Sequence, residues 1–172
     1  MAERMELTRP VFFVGFMGAG KTSVARRLAR TCGAASVDMD TYIERREGKK
    51  VKEIFAEGGE EGFRAIETDV LRELGAKPDP LLISCGGGVV KDPANLRALH
   101  ANGIVLFIDR PLEDLLVGGG RPLSTSPEAL KTMEAQRRPL YLAAADAVIP
   151  NKTTPADAVT AAMEALDEIF SH

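Results

Sequence analysis

Cysteine and histidine are scarce in this chain, with two of each in 172 residues. Neither Cys32 nor Cys85 belongs to a CxxC pair, and so few histidines argue against a zinc site. Both thiols are expected to be reduced, as in a cytoplasmic protein, with a single disulfide as the lesser alternative. There is no surplus of one charge: the formal net charge is -3, which gives no general electrostatic case for binding nucleic acid or an anionic membrane surface. No apolar run approaches the length of a membrane span. Residues 1–9 are short, charged and without an apolar stretch, so no signal peptide is expected there. What remains is ordinary globular composition, 45% hydrophobic and 27% charged. The length suits a single domain, residues 1–172, with a substantial core.

The most informative stretch is Gly15-Phe16-Met17-Gly18-Ala19-Gly20-Lys21-Thr22. It has two glycines five positions apart followed by Lys and Thr, the pattern of a phosphate-binding loop. The apolar run Val11-Phe12-Phe13-Val14 before it reads as a buried strand, and Val24, Ala25 and Leu28 after it lie at helical spacing. Strand and helix on either side distinguish the loop from a chance match. Glycines let successive N–H groups of Gly18, Ala19, Gly20, Lys21, Thr22 and Ser23 turn towards phosphate oxygens, and the helix N-terminus adds partial positive charge. Lys21 is expected to reach the β- and γ-phosphates, and the Thr22 hydroxyl to ligate Mg2+.

Further along, short apolar runs alternate with helical segments, which predicts an α/β fold: a parallel sheet covered on both faces. Strands are expected near 35–39, 81–85, 104–108 and 147–149. Helices are expected over 41–47, 51–56, 60–74, 111–117 and 155–170, with another from Pro93 to a stop at Asn102-Gly103. Gly58-Gly59 is expected to break the second of these from the third. A helix from Pro127 to about 145 is expected to be interrupted or kinked at Pro139. Residues 118–126 have no apolar periodicity and are expected to form a mobile surface loop suited to act as a lid.

Ligands of open α/β sheets bind beyond the carboxyl ends of the strands. That rule selects the loop at 15–22, Asp38 and Asp40, Gly86-Gly87-Gly88, and Asp109. If the second strand runs through 38–40, both carboxylates point to one side, where one can help hold Mg2+ and the other orient a substrate hydroxyl. Asp40 could instead cap the following helix. Arg64, three residues before Glu67, could be half of a surface ion pair, and Arg137 and Arg138 have the same bland reading. Arg121 lies in the glycine-rich lid and could close over phosphates. Three glycines at a strand end suggest close approach of a ligand to backbone. Ile104 to Ile108 followed by Asp109 resembles a Walker B segment and competes with Asp38 for the metal.

These motifs together resemble the shikimate kinase family over residues 10–168. The resemblance is carried by the phosphate loop, Val37-Asp38-Met39-Asp40, Ile54-Phe55, Gly59-Glu60-Glu61-Gly62-Phe63-Arg64-Ala65-Ile66-Glu67, Gly86-Gly87-Gly88, Arg121-Pro122-Leu123 and Arg137-Arg138-Pro139-Leu140-Tyr141. It implies a three-layer P-loop kinase fold with five parallel strands in the order 2-3-1-4-5, a substrate-binding helical segment at about 41–74 and a short lid at about 117–127. It implies transfer of the ATP γ-phosphate to the 3-hydroxyl of shikimate, giving shikimate 3-phosphate and ADP. By the same resemblance Asp40, Arg64, Gly87 (within the glycines 86–88) and Arg137 bind shikimate. Thr22 and Asp38 are the Mg2+ side, Asp109 is not, and Arg121 is the lid arginine, with Lys21, Asp40 and Arg121 catalytic. The expected partners are ATP and shikimate, without nucleic acid or membrane, for a cytoplasmic monomer. Two positions depart from the family: Leu116 or Val117 stands where many members have an adenine-stacking arginine, and Asn151-Lys152-Thr153 where some have another. The alternatives are a related kinase acting on gluconate or a nucleotide, and a catalytically silent nucleotide-binding relative.

Overall fold

The computed structural model describes residues 5–117 and 126–171. Its sheet is built from β1 (Val11–Val14), β2 (Ser36–Asp38), β3 (Leu82–Ser84), β4 (Ile104–Asp109) and β5 (Ala147–Pro150). All pairings are parallel and the order is β2-β3-β1-β4-β5, as the family resemblance implies. β1 is the middle strand, with Val11 level with Leu82 on one side and Ile104 on the other. Its four side chains are all fully buried, which explains why the run is apolar without alternation: helices cover both faces. Burying each of these side chains contributes about 1.5–3 kcal/mol.

The helices are α1 (Lys21–Cys32), α2 (Met39–Glu47), α3 (Val51–Gly75), α4 (Pro93–Asn102), α5 (Leu112–Val117), α6 (Pro127–Ala144) and α7 (Pro155–Phe170). α1 packs with α7, and α3 packs with α4. No helix among the described residues is long and apolar enough to cross a membrane. The break expected at Gly58-Gly59 is present as a kink inside α3, where Gly59 takes φ 67°, ψ −170° and the two halves change direction.

Two expectations are corrected. The second strand stops at Asp38 and α2 starts at Met39, so Asp38 and Asp40 do not share a strand face. Asp38 is the N-cap, its Oδ1 accepting the Thr41 N–H at 3.3 Å, and Asp40 lies in the first helical turn. The capping carboxylate at 38 and the fully buried Met39 favour this early turn. α6 runs through Pro139 without interruption. Contacts on both sides of the proline hold the two halves together: Arg138 binds Asp109, and Tyr141 binds the Gly87 carbonyl.

Gly103 does end α4, but not by taking up a left-handed conformation, since its φ is −123°. A Cβ there would overlap the Phe12 ring and lie 3.1 Å from the Pro10 carbonyl oxygen. The glycine makes room for the core aromatic of β1. Gly103→Ala should therefore destabilise the protein by about 1–3 kcal/mol through overpacking, seen as a lower midpoint of thermal unfolding. An unchanged midpoint would show that Phe12 can yield.

Candidate active site

The loop between β1 and α1 lies at the carboxyl end of the sheet and curls on itself, the Ala19 N–H donating to the Phe16 carbonyl at 3.1 Å. Gly20 takes φ 100° as the N-cap of α1, and no side chain caps the helix. The first-turn N–H groups thus have no intrahelical acceptor and form an anion site. The outer carbonyls of the loop are held by side chains that sequence reasoning missed. Arg110 Nη1 donates to the Gly18 carbonyl at 2.8 Å, and Asn151 Nδ2 donates to the Ala19 carbonyl at 2.8 Å. A Cβ on Gly20 would meet Asn151 Nδ2 at 2.5 Å, so the glycine and the asparagine fit one another. Because a peptide carbonyl and the following N–H point opposite ways, anchoring the Ala19 carbonyl outward aims the Gly20 N–H inward.

Lys21 is 8% exposed and its Nζ donates to the Gly15 carbonyl at 2.5 Å. Burial lowers its pKa to about 8, although Asp40 and Asp38 oppose the shift. Thr22 Oγ1 lies 2.9 Å from Ser84 Oγ and 3.5 Å from Asp38 Oδ2. These three oxygens come from three different elements and open onto a cleft that also includes Arg26, Thr41 and Arg45. Ser84 was absent from the sequence-based set, but it carried a signal: it is the one hydroxyl in an otherwise apolar strand that ends at the site. Ser23, the last residue of that set on the loop, is exposed.

Beside the loop, Gly86, Gly87 and Gly88 bring charges from three helices together. A Cβ on Gly86 would lie 3.1 Å from Asp40 Oδ1 and 3.5 Å from Glu67 Oε2. One on Gly87 would lie 3.3 Å from Arg137 Nη1, and also 3.6 Å from the Met17 amide nitrogen of the phosphate loop. One on Gly88 would overlap Arg64 Nη2. Tyr141, fully buried, donates its hydroxyl to the Gly87 carbonyl at 2.5 Å. The guanidinium of Arg137 stands over the Phe16 ring at 5.9 Å.

Arg64 is not a surface residue. It is 8% exposed, and its Nη1 donates at 2.8 Å to Glu67 Oε1, which is fully buried. Burial raises the Glu67 pKa against the pull of Arg64 and Asn95. Burial likewise raises that of Asp40, reinforced by Asp38 and opposed by Lys21. Asp109, the Walker B candidate, is held by a two-pronged contact with Arg138, both N–O distances being 2.8 Å. Both of its carboxylate oxygens are thereby taken up by one guanidinium. Arg121 and residues 118–125 of the expected lid lie outside the described residues. An anion-binding loop beside a carboxylate and two guanidiniums grouped around the triple glycine is a set of groups that can bind a phosphorylated donor beside a hydroxylated acid.

A family profile described as Shikimate kinase matches residues 17–167. The shikimate kinase of Parasynechococcus marenigrum is 41% identical over 155 residues, covering 86% of this chain and 80% of its own. That of Thermus thermophilus is 40% identical over 149 residues, covering 80% of each. Among solved structures, shikimate kinase from Acinetobacter baumannii in complex with shikimate superposes with a TM-score of 0.81 at 35% identity, covering 95% of this chain and 93% of that one.

The environment of Lys21 yields a measurable proton. In the free protein its ammonium should titrate near 8, and a phosphate ligand accepted by the loop should raise that value by supplying compensating charge. Binding of a triphosphate at about pH 8.5 should then take up protons, visible as a dependence of the calorimetric enthalpy on the buffer's ionisation heat. Affinity should fall as pH rises through 8. Binding with no net proton uptake would contradict this account of Lys21.

Proposed function

The chain belongs to the shikimate kinase family, and we propose that it transfers the γ-phosphate of ATP to the 3-hydroxyl of shikimate. The observation that carries this reading is the triple glycine. Asp40, Arg64 and Arg137 each approach one of its glycines, and Gly87 lies against the phosphate loop. Arg64 and Arg137 hold the shikimate carboxylate, since guanidinium forks match carboxylates. Asp40 accepts the proton of the 3-hydroxyl, and its raised pKa suits that task better than an ordinary carboxylate would. The hydroxyl oxygen bonds to the γ-phosphorus as the bond to the β–γ bridging oxygen breaks, and ADP departs. Lys21 and the N–H groups of Gly18, Ala19, Gly20, Thr22 and Ser23 neutralise and orient the phosphates. Arg121, outside the described residues, belongs to this reading as the lid arginine.

The hydroxyls of Thr22 and Ser84 and the Asp38 carboxylate are hard oxygen donors clustered beside the loop, a set suited to Mg2+ that keeps several waters and phosphate oxygens as ligands. Thr22 and Asp38 are the residues that would hold it. A bound Mg2+ would supply charge neutralisation for the phosphates. The same reading treats residues 1–172 as one kinase domain, acting as a cytoplasmic monomer, with the acceptor segment at 41–74.

Purified protein with Mg-ATP should release ADP only when shikimate is added, in a coupled ADP assay; no stimulation by shikimate would sink the reading. Asp40→Asn should lower turnover by about 10²- to 10⁴-fold with ATP binding nearly intact, whereas near-normal turnover would remove Asp40 from the chemistry. Asp38→Asn should raise the Mg2+ concentration needed for half-maximal activity much more than Asp109→Asn does. The reverse ranking would return Asp109 to the metal.

A further inference from the structure

We propose that Asn95 is a positioning residue for the acceptor site: its side-chain amide holds Glu67 and the backbone leaving the triple glycine in the register that aims Arg64. The proposal rests on the acceptor role given above to Arg64. Asn95 lies in the first turns of α4, is fully excluded from solvent and touches no reacting group. Its Nδ2 donates to Glu67 Oε1 at 2.7 Å and lies 3.1 Å from the Val89 carbonyl oxygen. Its Oδ1 lies 2.5 Å from the Thr68 hydroxyl, which is also 3.0 Å from the Arg64 carbonyl. One amide therefore ties together the residues three and four positions after Arg64 on the helix and the turn just beyond Gly88.

Those contacts converge on the aim of one guanidinium. Arg64 Nη1 binds the same Glu67 Oε1 that Asn95 binds, so the oxygen is pinned between them. Arg64 Nε reaches Glu60 at 3.4 Å, and Nη2 is left against the Cα of Gly88. Without the amide, Glu67 keeps its helical position but loses the contact that orients its carboxylate. The Val89 turn also loses its tie, so both walls against which Nη2 is placed would relax. Asn is the side chain that meets these needs. Asp would set a second carboxylate beside Glu67, and Leu would offer neither the donor nor the acceptor.

The test compares Asn95→Leu, Asn95→Asp and Thr68→Val with the unaltered protein by steady-state kinetics in both substrates and by calorimetric binding of shikimate. Asn95→Leu and Asn95→Asp should raise the KM for shikimate about tenfold to a hundredfold, as expected for a lost hydrogen bond to a charged group. The KM for ATP should change less than about twofold, and calorimetry should show the same weakening for shikimate. Thr68→Val spares the amide and should shift the shikimate KM in the same direction by about threefold; it carries the test if the Asn95 variants do not fold. A purely structural role for Asn95 would lower the thermal midpoint and move both KM values together, or neither, and either result overturns the proposal. An unchanged shikimate KM in Thr68→Val, where that variant carries the test, overturns it as well. If the unaltered protein shows no shikimate-dependent turnover, it is the functional reading that fails, which the same assay separates from a normal enzyme with unmoved variants.

Discussion

The arrangement of the site depends on the absence of side chains at residues 86–88. These three residues leave the end of β3 between α2, α3 and α6, and each approaches a charged group from one of those helices. At Gly88 a single methyl would coincide with the Arg64 guanidinium, so a side chain there would push the arginine out of its place. Three glycines in a row have a large conformational entropy to lose on ordering. Tyr141 offsets part of that by binding the Gly87 carbonyl, and Asn95 by contacting Val89 just beyond. A flexible sequence thereby becomes a fixed wall whose other side touches the phosphate loop at Met17. The phosphate loop and the charged groups around residues 86–88 are held in register because both contact this backbone.

The charges brought there are costly. Arg64 and Glu67 form a buried pair, and replacing such pairs with apolar residues is often neutral or stabilising. Glu67 Oε2 is buried with no hydrogen-bond partner among the described residues, a loss on the order of 1–3 kcal/mol. Stability does not explain such an arrangement. The requirement that it meets is an arginine held rigidly beside Gly88 without being exposed to water, and the kinase reading gives that arginine its use.

Much of this was legible in the sequence, because much of it is local. The phosphate loop declares itself within eight residues, and the strands are uninterrupted apolar runs because both faces are covered. What escaped depends on long-range partners. Asn151 and Arg110 reach the loop from the far ends of β5 and β4, across separations of 132 and 92 residues. Asn95 is an ordinary polar residue in an amphipathic helix until α3 packs over it. The Asp38–Asp40 spacing suggested a strand face, and the helix began one residue after Asp38 instead, a boundary decided by a cap. Arg64 and Glu67 were correctly read as a pair, but spacing along a helix says nothing about which face is covered.

The adjacent arginines of α6 show what settles such a choice. Spacing gives Arg137 and Arg138 the same prospects, yet the structure treats them oppositely. Arg138 is satisfied by Asp109 and lies 3.6 Å from Glu134, which together hold its proton more tightly than usual. Arg137 has an aromatic face beneath it and Tyr141 beside it, and among the described residues no carboxylate pairs with it. A guanidinium cannot shed its charge to relieve this. Lys21, Asp40 and Glu67 can move towards their neutral forms, and burial shifts all three that way. Arg137 therefore stands beside Gly87 as a guanidinium with no carboxylate partner among the described residues, a place that favours an incoming anion. In the proposed reading an acid is preferred because Arg137 lacks such a partner, while Arg64, already paired with Glu67, joins it in holding the carboxylate from a fixed position.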